Sequence, residues 1–411
     1  RIGIDNNLSL EGKRKEIQRS KYGVSENRSK LLPQINAIAG YNNNFDPPVS
    51  VTDGSSYGVP YNITQTLQHS ANAGLEMQMP LFNQTLYTSM SIAKVMEEIS
   101  RLSYGKARED VILQISKMYY LGQVTAEQIM LIKANITRLE ELRDITQAFF
   151  DNGMSMEVDL KRVNINLENL KVQYDNAQAM MKQQLNMLKY IMDYPAEKEI
   201  ALTPVNTDSI TTVALTGLSE NIYELQLSQS QVQLAERQKK IITNGYIPSL
   251  SLTGSWRYAA YTDKGYHWFH SGPSNQWFRS YGVGLTLRIP IFDGLDKTYK
   301  IKKAMIDIEN KRLAWEDARK NLQTQYLNAV NDLMNNQRNF KKQKDNYLLA
   351  EDVYAVTSDR YREGIASMTE VLQDEMQMSE AQNNYISAHY NYRVTNLMLL
   401  KLTGQIESLV K

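Results

Sequence analysis

Cysteine is absent from the 411-residue chain. Disulfides, thiol catalysis and cysteine-ligated zinc are thereby excluded. No run of 18 apolar residues occurs, so no segment can cross a bilayer as a helix. That absence leaves β-barrels untouched, because a barrel strand turns only one face to lipid. Net charge is nearly absent too: 46 Lys and Arg stand against 45 Asp and Glu. Such a balance argues against a nucleic-acid partner held by phosphate neutralisation. Histidine is scarce, and His69, His267, His270 and His389 show no zincin spacing. There is no Walker loop and no dinucleotide fingerprint. The sequence therefore offers no catalytic residue, no metal ligands and no cofactor site, and it is not read as an enzyme. Proline is confined: none of the ten lies between Gln84 and Phe150, or between Leu295 and Tyr361. The chain opens on Arg1 and not on Met, as expected of a processed or trimmed N-terminus.

What is present is said twice. Lys30-Leu31-Leu32-Pro33-Gln34 recurs as Gly245-Tyr246-Ile247-Pro248-Ser249. Met79-Pro80-Leu81-Phe82-Asn83 recurs as Ile289-Pro290-Ile291-Phe292-Asp293, and Phe150-Asp151-Asn152-Gly153 as Tyr361-Arg362-Glu363-Gly364. A period this long marks duplication of a whole supersecondary module and not a solenoid. The first repeat is read as 1–194, a linker as 195–217 and the second repeat as 218–411.

Within the first repeat, 8–32 reads as a charged helix, 33–46 as a strand and 70–82 as another. Between them, 47–66 carries loop chemistry in Pro47, Pro48, Gly54, Gly58 and Pro60. Leu75, Met77, Met79 and Leu81 alternate with Glu76, Gln78 and Pro80, giving one apolar face. Residues 84–150 read as one helix, roughly 100 Å long at about 1.5 Å per residue. Its seam runs Val111, Ile115, Met118, Gly122, Thr125, Ile129, Ile132, Ile136 and Leu139, stepping by four and three. Asp151-Asn152-Gly153 stops it. A second seam, Leu160, Val163, Leu167, Leu170, Tyr174, Ala177 and Met181, belongs to a helix over 157–192. The second repeat follows the same plan. A helix over 218–243 precedes strands over 247–261 and 279–292, and long helices over 295–361 and 367–402 follow.

The strands suit a membrane. Tyr281, Val283, Leu285, Leu287, Ile289 and Ile291 make an unbroken apolar face, while Gly282, Gly284, Thr286 and Arg288 suit a wet lumen. Trp256, Tyr258, Tyr261, Tyr266, Trp268, Phe269, Trp277, Phe278 and Tyr281 crowd the loop end, as an interfacial girdle does. Packing of one face on a soluble core is the competing reading of any such strand. In lipid, four strands cannot close, and open edges cost several kcal/mol per unpaired backbone group. Several copies must then share one barrel. Two give eight strands and a filled interior; three give twelve and room for a lumen. Three is the expected number.

Taken together, the duplicated strand entries at Pro33 and Pro248, the strand exits Met79–Asn83 and Ile289–Asp293, and the turns at Gly153 and Gly364 resemble the TolC family of bacterial outer-membrane efflux channels. The resemblance covers essentially the whole chain. It implies a mixed α and β membrane protein, a homotrimer with a twelve-stranded β-barrel, four strands per chain, in outer-membrane lipid. A long α-helical barrel would continue it into the periplasm. It implies export of drugs or of proteins, powered by an inner-membrane pump, proton- or ATP-driven, through a periplasmic adaptor that grips the turns at Gly153 and Gly364. It also implies an acidic ring at the entrance, six positions past each turn glycine: Asp159 and Glu370. Members of the family carry a second acid three residues after the later one; Gln373 stands there, with Asp374 beside it. The family's closing tyrosine is matched by Tyr361. Its arginine–threonine partners are replaced by Ala366 and Val158. From the residues alone, Asp159 and Glu370 are helix N-terminal acids facing the dipole, and a soluble coiled-coil scaffold or adhesin would also explain the seams.

Overall fold

The computed structural model describes every residue except 1, 48, 54, 56, 57, 59, 60, 66, 205–216, 263–276 and 411. The elements are α1 (Ile2–Asp5), α2 (Leu8–Ser29), β1 (Gln34–Asn43), β2 (Val49–Asp53), β3 (Tyr61–Gln65), β4 (His69–Phe82), α3 (Gln84–Asp151), α4 (Glu157–Ile191), α5 (Tyr223–Asn244), β5 (Ser249–Thr262), β6 (Trp277–Arg288), α6 (Asp296–Arg362) and α7 (Met368–Leu402). The expected strands and helices are all present. One element was not expected: within 47–66, read as a loop, β2 and β3 pair as an antiparallel hairpin. Strand β6 stops at Arg288, short of the expected 292, because Pro290 lacks the amide a ladder needs.

The described residues form two compact units that cut across the two repeats. One comprises 18–98 and 230–312. Its sheet has the order β1-β4-β5-β6, antiparallel throughout, so the repeats meet where β4 pairs with β5. Period-two geometry sorts the side chains. The row Ala37, Leu75, Trp256 and Tyr281 is apolar across all four strands, and Ile35, Met77, Gly254 and Val283 form the row beside it. The opposite face carries Asn36, Glu76, Ser255 and Gly282, then Gln34, Gln78, Thr253 and Gly284. Among the described residues nothing covers the apolar face: Val283 is 79% exposed, Tyr281 76% and Leu285 66%. At the loop end, Trp256, Tyr258, Trp277 and Tyr281 lie on the apolar face, whereas Tyr261 and Phe278 alternate to the other. Tyr266, Trp268, Phe269, His267 and His270 lie outside the described residues, as does most of the linker.

The other unit comprises 1–17, 99–229 and 313–411 and is helical. Of the expected α4 seam, Val163, Leu167, Leu170 and Ala177 are buried, while Leu160, Tyr174 and Met181 are half-buried. Val163, Leu167 and Leu170 join Leu139 and Leu142 of α3 with Tyr354 and Tyr361 of α6 and Val371, Leu372 and Met378 of α7. Gly122, a blemish in the α3 seam, has a reason: a Cβ there would lie 2.8 Å from Leu202 Cδ1. One seam escaped the sequence reading. Tyr326, Leu333, Phe340, Tyr347, Tyr354 and Tyr361 repeat every seventh residue along α6, and their side chains pack inward. Phe340 stacks on Tyr385 and Tyr392 of α7, and Tyr347 stacks on Tyr385.

Candidate functional site

The two tip turns are built alike. At the end of α3, the Gly153 N–H donates to Phe150 O at 2.9 Å and the Met154 N–H to Phe149 O at 2.8 Å. At the end of α6, Gly364 donates to Tyr361 O at 2.9 Å and Ile365 to Arg360 O at 2.8 Å. Both are Schellman caps, and both glycines hold positive φ, 72° and 75°. An added Cβ would meet nothing within 4 Å at either glycine. Replacement by Ala should therefore cost only backbone strain, about 1–2 kcal/mol per turn. Asn, which tolerates the left-handed region, should cost less. Thermal unfolding of G153A, G364A and both Asn variants checks this; an Ala penalty no larger than that of Asn would contradict it.

Four residues beyond each turn a new helix begins, and each expected acid lies at its third position. Asp159 follows Met156, which caps α4 without a side-chain bond. Glu370 follows Ser367, whose hydroxyl accepts from the Glu370 N–H at 3.3 Å. Both acids thus meet the positive end of a helix dipole. The structure also brings the two helix starts together. Arg162 of α4 donates to Asp159 Oδ1 at 3.2 Å and to Thr369 Oγ1 of α7 at 3.4 Å. Asp159 is thus partly neutralised, its side chain only 15% exposed. Glu370 is exposed and has no ionic partner among the described residues.

Further along α7, Gln373 is exposed and Asp374 half-buried. Tyr361 is buried; its hydroxyl donates to Thr146 Oγ1 at 3.3 Å and its ring lies 5.7 Å from Phe149. Ala366 is buried and Val158 exposed, so neither offers a polar link. Three features here went unread in the sequence. Arg162 is one. The second is Arg138, which bridges α3 to Glu351 of α6 at 2.6 Å and touches Met378 Sδ of α7 at 3.2 Å. The third is Glu375, 5% exposed, with Oε1 unpartnered. Burial raises its carboxyl above the usual range, and burial together with the Glu375 charge pushes Tyr354 up to about 12.

The turns present apolar side chains outward: Met154, Met156 and Ile365 are each more than 60% exposed. Among the described residues no cluster could hold a metal and no helix is long and apolar enough to cross a membrane.

Comparison with known proteins agrees with this geometry. A model of the outer membrane efflux protein family matches residues 4–192 and 214–405. The outer membrane protein TolC of Vibrio cholerae is 21% identical over 399 residues, spanning 93% of this chain and 84% of that protein. The toluene efflux pump outer membrane protein TtgC of Pseudomonas putida is 23% identical over 379 residues, 87% of this chain and 75% of its own. The open-state MtrE outer membrane channel of Neisseria gonorrhoeae superposes with a TM-score of 0.77 at 19% identity, covering 98% of this chain and 87% of that one.

Proposed function

The chain belongs to the outer membrane efflux protein family, and from that premise we propose that it is the outer-membrane duct of a tripartite efflux system. It provides a passive path, so the driving energy comes from an inner-membrane pump and reaches it through a periplasmic adaptor. One observation carries the assembly: the sheet has two open edges. Among the described residues nothing pairs with the outer side of β1 or of β6. In hydrocarbon such edges are prohibitive, since each unpaired backbone group costs several kcal/mol. Pairing β6 of one copy with β1 of the next keeps the antiparallel alternation and leaves no edge. Three copies close twelve strands around a lumen, with the polar face inward and the apolar face in lipid.

The tip turns form the entrance, with Glu370, Asp159 and Asp374 supplying negative charge. The adaptor docks on the turns at Gly153 and Gly364, where Met154, Met156 and Ile365 supply adaptable apolar contact. A relative named for toluene efflux supports small molecules as cargo.

Cysteine cross-linking tests the closure cleanly, because the chain has none of its own. Ala37→Cys in β1 is combined in turn with a cysteine at each position from 282 to 286 of β6, and outer membranes are oxidised. At least one pairing should yield covalent dimers and trimers and nothing larger. Monomer across the whole scan, or a stable monomer that needs no detergent, would sink the proposal.

A further inference from the structure

The polar face of the sheet carries very little charge. Among the described residues of its four strands, only Glu76, Arg257 and Arg288 bear charge there. Two of them cancel. Glu76 lies opposite Ser255 and Arg257 opposite Gly74, so they are diagonal neighbours across β4 and β5, and they form an ion pair. Gly74 makes room for it: a Cβ there would stand 2.8 Å from the Arg257 Cα and 3.0 Å from its Cγ. The pair borders a dish of about 480 Å³ lined by Asn36, Gln78, Thr253 and Ser255 over Gly282 and Gly284. The wall around it is polar and uncharged.

Arg288 is different. It is the last residue of β6, opposite Ser249, at the end of the sheet from which the chain continues into α6. It is exposed and has no ionic partner among the described residues. Glu76 cannot neutralise it. The row of Glu76 and Gly282 lies six residues from Arg288, roughly 20 Å at about 3.4 Å per residue. The screening length at about 0.1 M salt is about 10 Å.

Resting on the reading that three copies close a barrel with this face inward, we propose that Arg288 forms a threefold cationic collar at the helix-side end of the bore. It is the collar, and not the Glu76–Arg257 pair, that biases the barrel toward small anions and anionic cargo, in opposition to the cation preference of the acidic entrance. Rings of Arg or Lys select anions in pores by this means. Glu76 and Arg257 hold each other silent, so the rest of the barrel wall discriminates little by charge.

The test is the reversal potential of single channels in planar bilayers under a KCl gradient near 0.1 M, where the screening length is about 10 Å. R288Q removes three charges from the bore at once and should lower the chloride-to-potassium permeability ratio several-fold, since one unit charge across ~10 Å of water already biases an ion about twofold. E76Q should raise the ratio by freeing Arg257, R257Q should lower it, and the double variant E76Q/R257Q should return it to the wild-type value. A second measurement locates the side chain: Arg288→Cys should react with a negatively charged thiosulfonate reagent and lower the chloride-to-potassium ratio further. A conducting R288Q channel with the wild-type ratio, or an unreactive Arg288→Cys, overturns the collar and leaves the duct reading standing. A wild-type protein that forms no channel overturns both.

Discussion

Val283→Arg should abolish accumulation of the protein in the outer membrane. Val283 lies mid-strand in β6 and is 79% exposed, with Gly254 its cross-strand partner on the apolar face. If that face meets lipid, an arginine there costs about 2–4 kcal/mol near the bilayer midplane. Three copies multiply the penalty to roughly 6–12 kcal/mol per barrel, comparable to the whole stability of an ordinary domain, about 5–15 kcal/mol. Gly254 offers no carboxylate to offset it. Thr286→Arg, only three residues away but on the polar face, should assemble normally, because its side chain would point into water. The readout is the amount of detergent-extracted oligomer in outer-membrane fractions. If V283R assembles and T286R fails, the two faces have been assigned backwards. If both assemble, neither face is in lipid.

That contrast works because the strands were legible in the sequence. Alternation along 279–288 and 75–82 survives into the pairing registers almost unaltered, since period two is a direct consequence of the pleat. The α4 seam was equally plain: Val163, Leu167 and Leu170 are apolar residues at three- and four-residue steps and are buried as such. What escaped had physical causes. The β2–β3 hairpin was hidden because Pro47, Pro48, Gly54, Gly58 and Pro60 surround two five-residue strands, and strands so short carry little periodicity. The α6 seam was hidden because it is mostly tyrosine, a residue that reads as readily for a surface as for a core. Arg162 gave no signal at all. Its partner Thr369 is 207 positions away, brought near only when the two repeats set their tip turns together. The acids themselves, Asp159 and Glu370, could be placed from the turn glycines. Their unequal electrostatic surroundings could not, because those depend on what the fold packs beside them.

That inequality makes the entrance testable. Replacing both acids, D159N with E370Q, should reduce cation preference and single-channel current more than any other pair of substitutions in the tip. A ring of carboxylates concentrates cations at a constriction, and three copies lose up to six charges at once. The singles should not be equal. E370Q removes an exposed charge without an ionic partner. D159N removes one that already shares a hydrogen bond with Arg162 at 3.2 Å, so its effect should be the smaller. Arg162→Gln should act in the opposite sense, raising cation preference by uncovering Asp159. Arg162 itself is 49% exposed, and surface ion pairs contribute about 0–1 kcal/mol to stability, so R162Q should fold normally and its current should report electrostatics and not damage. Reversal potentials across a salt gradient, measured at low ionic strength, separate the cases. Equal shifts for D159N and E370Q would mean that Arg162 does not shield its neighbour. No shift for the double variant would leave the two acids as helix-start residues meeting a dipole and place the charge filter elsewhere in the tip.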